Sequence, residues 1–123
     1  MNLEDALLLH FELKLELRTA MLEGRQLDAA QIGDCCSCEL GRWLHGEGMV
    51  NCGHNSVFVQ LVENHRQFHL EAARVAELIN QGQFDAAREA LAVGPSRYSQ
   101  LSSAVGSGIA ELRKRLLQQF SHK

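Results

Sequence analysis

The chain has 123 residues, 46% of them apolar, a single proline and a formal charge of −3. At this length one domain over residues 1–123 is expected, with room for a real core but none for a separate catalytic domain. The small net charge, with Arg113-Lys114-Arg115 as the one basic cluster, argues against nucleic acid as a partner, and apolar runs of a few residues fall far short of the roughly 20 that span a bilayer. Glu4 and Asp5 stand where a secretory signal carries basic residues, so a cytoplasmic location without membrane contact is expected. Leu, Ala, Glu and Gln dominate, which favours an all-α fold.

The first helix is expected over about Leu3 to Leu22, before Gly24. At 100° per residue, Leu3, Leu7, His10, Leu13, Leu17 and Met21 share one face, and Leu8, Phe11, Leu15 and Leu22 form a second apolar stripe. The second stripe suits either a helix well buried in its own bundle or a homodimer contact. Asp28-Ala29-Ala30-Gln31 has the makings of one helical turn ended by Gly33. Cys38 to Gly46 reads as a short amphipathic helix with Leu40, Trp43 and Leu44 inward and Cys38 at its start, where backbone N–H groups favour a thiolate. Gly46 to His54, with three glycines, reads as loop.

A long helix is expected over Asn55 to Asn80, closed by Gly82, with an inward stripe of Phe58, Leu61, Val62, His65, Phe68, His69, Ala72, Ala76 and Ile79. A short helix over Gln83 to Leu91 follows, ended by Gly94. Pro95 then suits the first turn of a last helix whose inner face is Leu101, Val105, Gly108, Ile109, Leu112 and Leu116. Gly106 and Gly108 cost that helix stability and point to close helix approach. Arg113, Lys114 and Arg115 are accounted for by the dipole at its carboxyl end. Together these elements predict an antiparallel four-helix bundle with an additional short helix.

The chemistry centres on His65 and His69. Four residues apart on a helix, they point the same way and lie inside an apolar stripe, where each imidazole must use both ring nitrogens. One metal ion satisfies the pair, and inward side chains of facing helices, His10 and Cys38, are the candidates that complete a three-imidazole, one-thiolate zinc site. With four protein donors no position remains for an attacking water, which favours a structural or sensing zinc over an enzyme. Taken alone, His10 on its apolar face is ordinarily a core residue, and two satisfied core histidines remain the alternative for the pair. An all-cysteine site of Cys38 with Cys35, Cys36 and Cys52 is a further alternative, one that leaves both histidines without a reason. A zinc enzyme with an open three-histidine site and a metal-free helical interaction protein are the other functional readings. A zinc-bound thiolate remains open to oxidation, and Cys35 and Cys36 lie close enough in sequence to trap Cys38 as a disulfide. His45, His54 and His122 are expected in solvent.

An early histidine followed by Leu13-Lys14 and Leu17, then Cys38-Glu39-Leu40-Gly41-Arg42-Trp43-Leu44, then His65-Arg66-Gln67-Phe68-His69, resembles the chemoreceptor zinc-binding domain, CZB, over roughly residues 3 to 117. The resemblance implies a helical, dimeric, cytoplasmic bacterial module that holds zinc through His10, Cys38, His65 and His69. It also implies a role in regulating chemoreceptors or diguanylate cyclases, in chemotaxis or cyclic-di-GMP signalling, with zinc or an oxidant such as hypochlorous acid as the signal. The expected departures from the family arrangement are the lack of an attached signalling domain, which implies action through a partner or a zinc-responsive protein in its own right, and the extra thiols Cys35, Cys36 and Cys52.

Overall fold

The structure is a computed structural model that describes residues 3–36, 38–92 and 96–121, without the side chains of 119–121. The expected roles of Gly94, Pro95 and His122 lie outside the described residues. Among the described residues there are seven helices: α1 (Leu3–Glu23), α2 (Ala29–Ile32), α3 (Glu39–His45), α4 (Glu47–Cys52), α5 (Ser56–Asn80), α6 (Phe84–Ala90) and α7 (Arg97–Ser121). No strand occurs among the described residues.

Helix α5 is the centre of the bundle, in contact with α1, α2, α3, α6 and α7. Its apolar stripe is almost fully out of solvent: Phe58, Leu61, His65, Phe68, His69, Ala72, Ala76 and Ile79 are buried, together with Val75 and Glu71. Glu71 is held by a two-bond contact with Arg74 one turn on. Asn55 starts the helix by accepting from Val57 N–H. Gly82, with φ +76, makes the left-handed turn that follows its end.

The glycines of α7 bring the long helices together. A Cβ on Gly108 would stand 3.0 Å from Leu61 of α5, and one on Gly106 would stand 3.4 Å from Leu7 of α1, so both positions serve close approach as the sequence suggests. Gly106 faces Leu7 while Arg113 bridges to Glu4 at 2.8 Å. Likewise Gly108 faces Leu61 while the Tyr98 ring packs at a tilt against Phe68. In each pair the numbering runs in opposite directions, so α7 is antiparallel to both α1 and α5. Short α2 and α3, which pack on α5, occupy the remaining position of the bundle.

Two details differ from the sequence-based expectation, and a third bears on an alternative it left open. Residues 47–52 form helix α4 rather than loop. Gly48 is buried there because a Cβ would meet the Trp43 ring at 2.9 Å, so this glycine is a packing spacer and not a sign of open chain. The basic cluster of α7 lies well before the helix end; Arg113 pairs with Glu4 and Arg115 with Glu111. The second stripe of α1 is left in solvent, with Leu15 65% and Leu22 86% exposed alongside Leu8 and Phe11.

A polar clamp fixes the approach to the site. Asn80 accepts from the backbone N–H of Leu27 at 2.7 Å and donates to the Leu27 carbonyl at 2.9 Å, tying the segment before α2 to the end of α5. Asp28 then caps α2 by accepting from Gln31 N–H. Leu61 is fully buried against Gly108, so Leu61→Ala is expected to lower unfolding stability by about 2–5 kcal/mol in chemical denaturation. Val59→Ala, at an exposed position of the same helix, should change it by less than about 0.5 kcal/mol.

Candidate metal centre

His65 and His69 project from neighbouring turns of α5 with their Nε2 atoms 3.1 Å apart. His10, on the inner face of α1, brings its own Nε2 to 3.1 Å from that of His65. Cys38 is the residue that caps the start of α3, and its Sγ lies 3.3 Å from His65 Nε2 and 3.6 Å from His69 Nε2. All four atoms fall within 4.8 Å of one another. Every residue expected in the site is therefore brought to it, from three helices.

These separations fit one central ion. With metal–nitrogen bonds of about 2.0–2.1 Å and a metal–sulfur bond of about 2.3 Å, a tetrahedron has N···N edges of about 3.3–3.4 Å and N···S edges of about 3.6 Å. The four edges that involve His65 or join Cys38 to His69, at 3.1, 3.1, 3.3 and 3.6 Å, lie within about 0.3 Å of those values.

The hydrogen bonds lead to the same conclusion. Nδ1 of His10 is 2.7 Å from the Ala6 carbonyl, and Nδ1 of His69 is 2.8 Å from the Ile32 carbonyl. A carbonyl only accepts, so each of these Nδ1 atoms carries the proton, and in the neutral ring each Nε2 is a bare lone pair. Two lone pairs thus face inward beside a thiol and the third imidazole, which sets four potential donor atoms around one point. A cation satisfies all of them, and the two carbonyls fix the tautomers that metal ligation requires. Nδ1 of His65 is buried and has no hydrogen-bond partner among the described residues.

Burial tunes the three imidazoles for ligation. Desolvation is the main cause that holds the imidazoles neutral: it pushes His65 down to about 2, helped by the neighbouring His69, His10 and His45. His10 is lowered by burial against the raising effect of the Ala6 carbonyl, and His69 by burial against the raising effects of the Ile32 carbonyl and Asp34. The lone pairs are consequently available at neutral pH. Burial pushes the Cys38 thiol up, opposed by backbone N–H groups at the start of α3, that of Gly41 first, and by Arg42. The Gly41 N–H donates to Sγ at 3.2 Å, the helix-entrance contact expected for this cysteine.

The outer partners of the imidazoles were not legible beforehand. The Ile32 carbonyl closes α2, where a helix leaves its last carbonyls free. Gly33, just beyond, approaches α5 so closely that a Cβ would stand 3.0 Å from Ala73, one turn past His69. A glycine at the end of a four-residue helix was the only sequence signal of this docking.

The remaining thiols stand outside this set. Cys52 is buried in the apolar core, while Cys35, half-buried, and Cys36, exposed, gather with His45. Among the described residues no cluster combines Cys38 with the other three cysteines, so the all-cysteine alternative is not built. Cys38 stands within the histidine cluster rather than apart from it. His54 is exposed, as expected.

A family model, that of the chemoreceptor zinc-binding domain, matches residues 10–76, just over half of the chain. The matched stretch opens at His10 and includes Cys38, His65 and His69. No curated protein and no solved structure gives a significant match.

Proposed function

Since the chain belongs to the chemoreceptor zinc-binding domain family, we propose that it is a sensory module that holds zinc through His10, Cys38, His65 and His69. The observation that carries this reading is the convergence of three Nε2 atoms and one Sγ at tetrahedral spacing. The family is one of sensory domains rather than enzymes, and four protein donors leave no coordination position for a substrate. Three imidazoles with one thiolate suit Zn²⁺ over harder cations, which prefer oxygen.

Cys38 is the ligand best placed to respond to a signal. The histidines are fixed by long helices, and two of them also by carbonyls, whereas Cys38 sits at the start of a seven-residue helix. A cavity of about 170 Å³, lined in part by Leu9, Leu13, Leu40 and Cys38, gives small solutes a way to its sulfur. Bound zinc would keep that sulfur a thiolate. A two-electron oxidant such as hydrogen peroxide then accepts the sulfur lone pair: an S–O bond forms, the O–O bond breaks, hydroxide leaves, and a sulfenic acid that binds metal poorly remains. Release of Cys38 frees the start of α3 to move, and a chemoreceptor- or diguanylate-cyclase-type partner would read that motion. Four free thiols suit a reducing cytoplasmic setting.

The exposed stripe of Leu8, Phe11, Leu15 and Leu22 on α1 supports a homodimer in this reading. Sedimentation is expected to show a dimer at micromolar concentration, and Leu8→Glu combined with Leu15→Lys should give a monomer; a parent chain that is monomeric at high micromolar concentration contradicts this contact. For the site, Cys38→Ala should weaken zinc binding by more than about 100-fold, beyond the roughly 10–100-fold attached to outer-shell partners, while the helical circular dichroism largely survives on the apolar core. Unchanged zinc affinity in that variant would remove Cys38 from the ligand set.

A further inference from the structure

Cys35, Cys36 and His45 take no part in the site above, yet one ligand atom from each lies within 4.8 Å of the others. Gly41 is the cause. A Cβ there would stand 1.7 Å from the Cys35 carbonyl oxygen and 3.1 Å from Cys36 Cα, so the backbone before Cys38 crosses α3 directly over this residue. His45 is four residues on and therefore on the same face of α3. The crossing delivers two adjacent thiols to an imidazole. The Cys36 backbone N–H donates to Asp34 Oδ1 at 3.0 Å, which steadies the turn.

The two sulfurs are 3.7 Å apart. That is far from the roughly 2.05 Å of a disulfide. It matches the edge of about 3.8 Å between two sulfurs bound at about 2.3 Å to one tetrahedral zinc. We propose that Cys35, Cys36 and His45 form a second zinc site, open to solvent, with water as the fourth ligand. Two thiolates neutralise a divalent ion, which suits an uncharged complex at the surface, whereas the inner centre with its single thiolate stays positive. Cys36 and His45 are exposed and Cys35 half-buried, so this outer ion exchanges with solvent more readily than the inner one. The Cys35 carbonyl also lies 3.6 Å from Cys38 Sγ, so an ion held outside restrains the segment that leads into the inner ligand.

The test is a Co²⁺ titration of the full, reduced, chelator-stripped chain, followed by displacement with Zn²⁺. Two equivalents are expected, the second adding about twice the thiolate-to-cobalt charge-transfer intensity of the first, because it gains two sulfurs and not one. Cys35→Ser with Cys36→Ser should abolish the second step and leave the first; Cys36→Ser alone, at an exposed position, should halve the added charge-transfer intensity; His45→Ala should weaken the second step at least about tenfold. Cys38→Ala should do the reverse, sparing the two-sulfur step, so failure of the inner site is separable from failure of the outer one. Saturation of the parent chain at one equivalent, or a second step that survives the double serine variant, overturns the proposal.

Discussion

The structure depends on two imidazoles buried one turn apart in the apolar stripe of α5. Burying a polar ring is costly unless its nitrogens are satisfied, and here His65 and His69 lie in the same stripe as Phe68, Ala72 and Leu61. The surrounding helices are arranged to meet that demand. Helix α1 supplies His10, α2 supplies the Ile32 carbonyl, and the start of α3 supplies Cys38. What would otherwise be a run of unsatisfied polar atoms in a core becomes a cage of lone pairs shaped for a cation.

The same arrangement separates rigid from movable parts. The histidine side is built on helices of 21 and 25 residues that pack along α7. The cysteine side hangs on a short helix reached through a turn that carries two further thiols and is held against Gly41. A change at Cys38 therefore acts where the fold has least to lose, and the His65–His69 pair remains as the anchor. With zinc bound, the ligand set would tie α1, α3 and α5 together, so the state of one sulfur bears on how these helices pack.

Much of this was legible in the sequence because helical periodicity is a long-range signal in long helices. The inner faces of α1, α5 and α7 follow it, and the placement of His10, His65 and His69 on those faces follows with them. The contributions of short elements were not legible. Gly48 and Gly53 suggest loop by composition, yet α4 forms because Gly48 lets Trp43 lie against it. The proton partners of the imidazoles are backbone carbonyls, which leave no mark in a sequence of side chains. The gathering of Cys35 and Cys36 with His45 arises from one chain crossing at Gly41, a tertiary event with no periodic signature. Arg113 pairs with Glu4 of α1, a contact between helices that the dipole of its own helix gives no reason to expect.

The account rests on one ion bound by three imidazoles and the Cys38 sulfur. X-ray absorption at the zinc edge tests it most directly, on the Cys35→Ser, Cys36→Ser chain loaded with one equivalent so that only the inner centre contributes. The predicted shell is one sulfur at about 2.3 Å and three nitrogens at about 2.0–2.1 Å, with no solvent oxygen. A shell of nitrogen and oxygen without sulfur would contradict it.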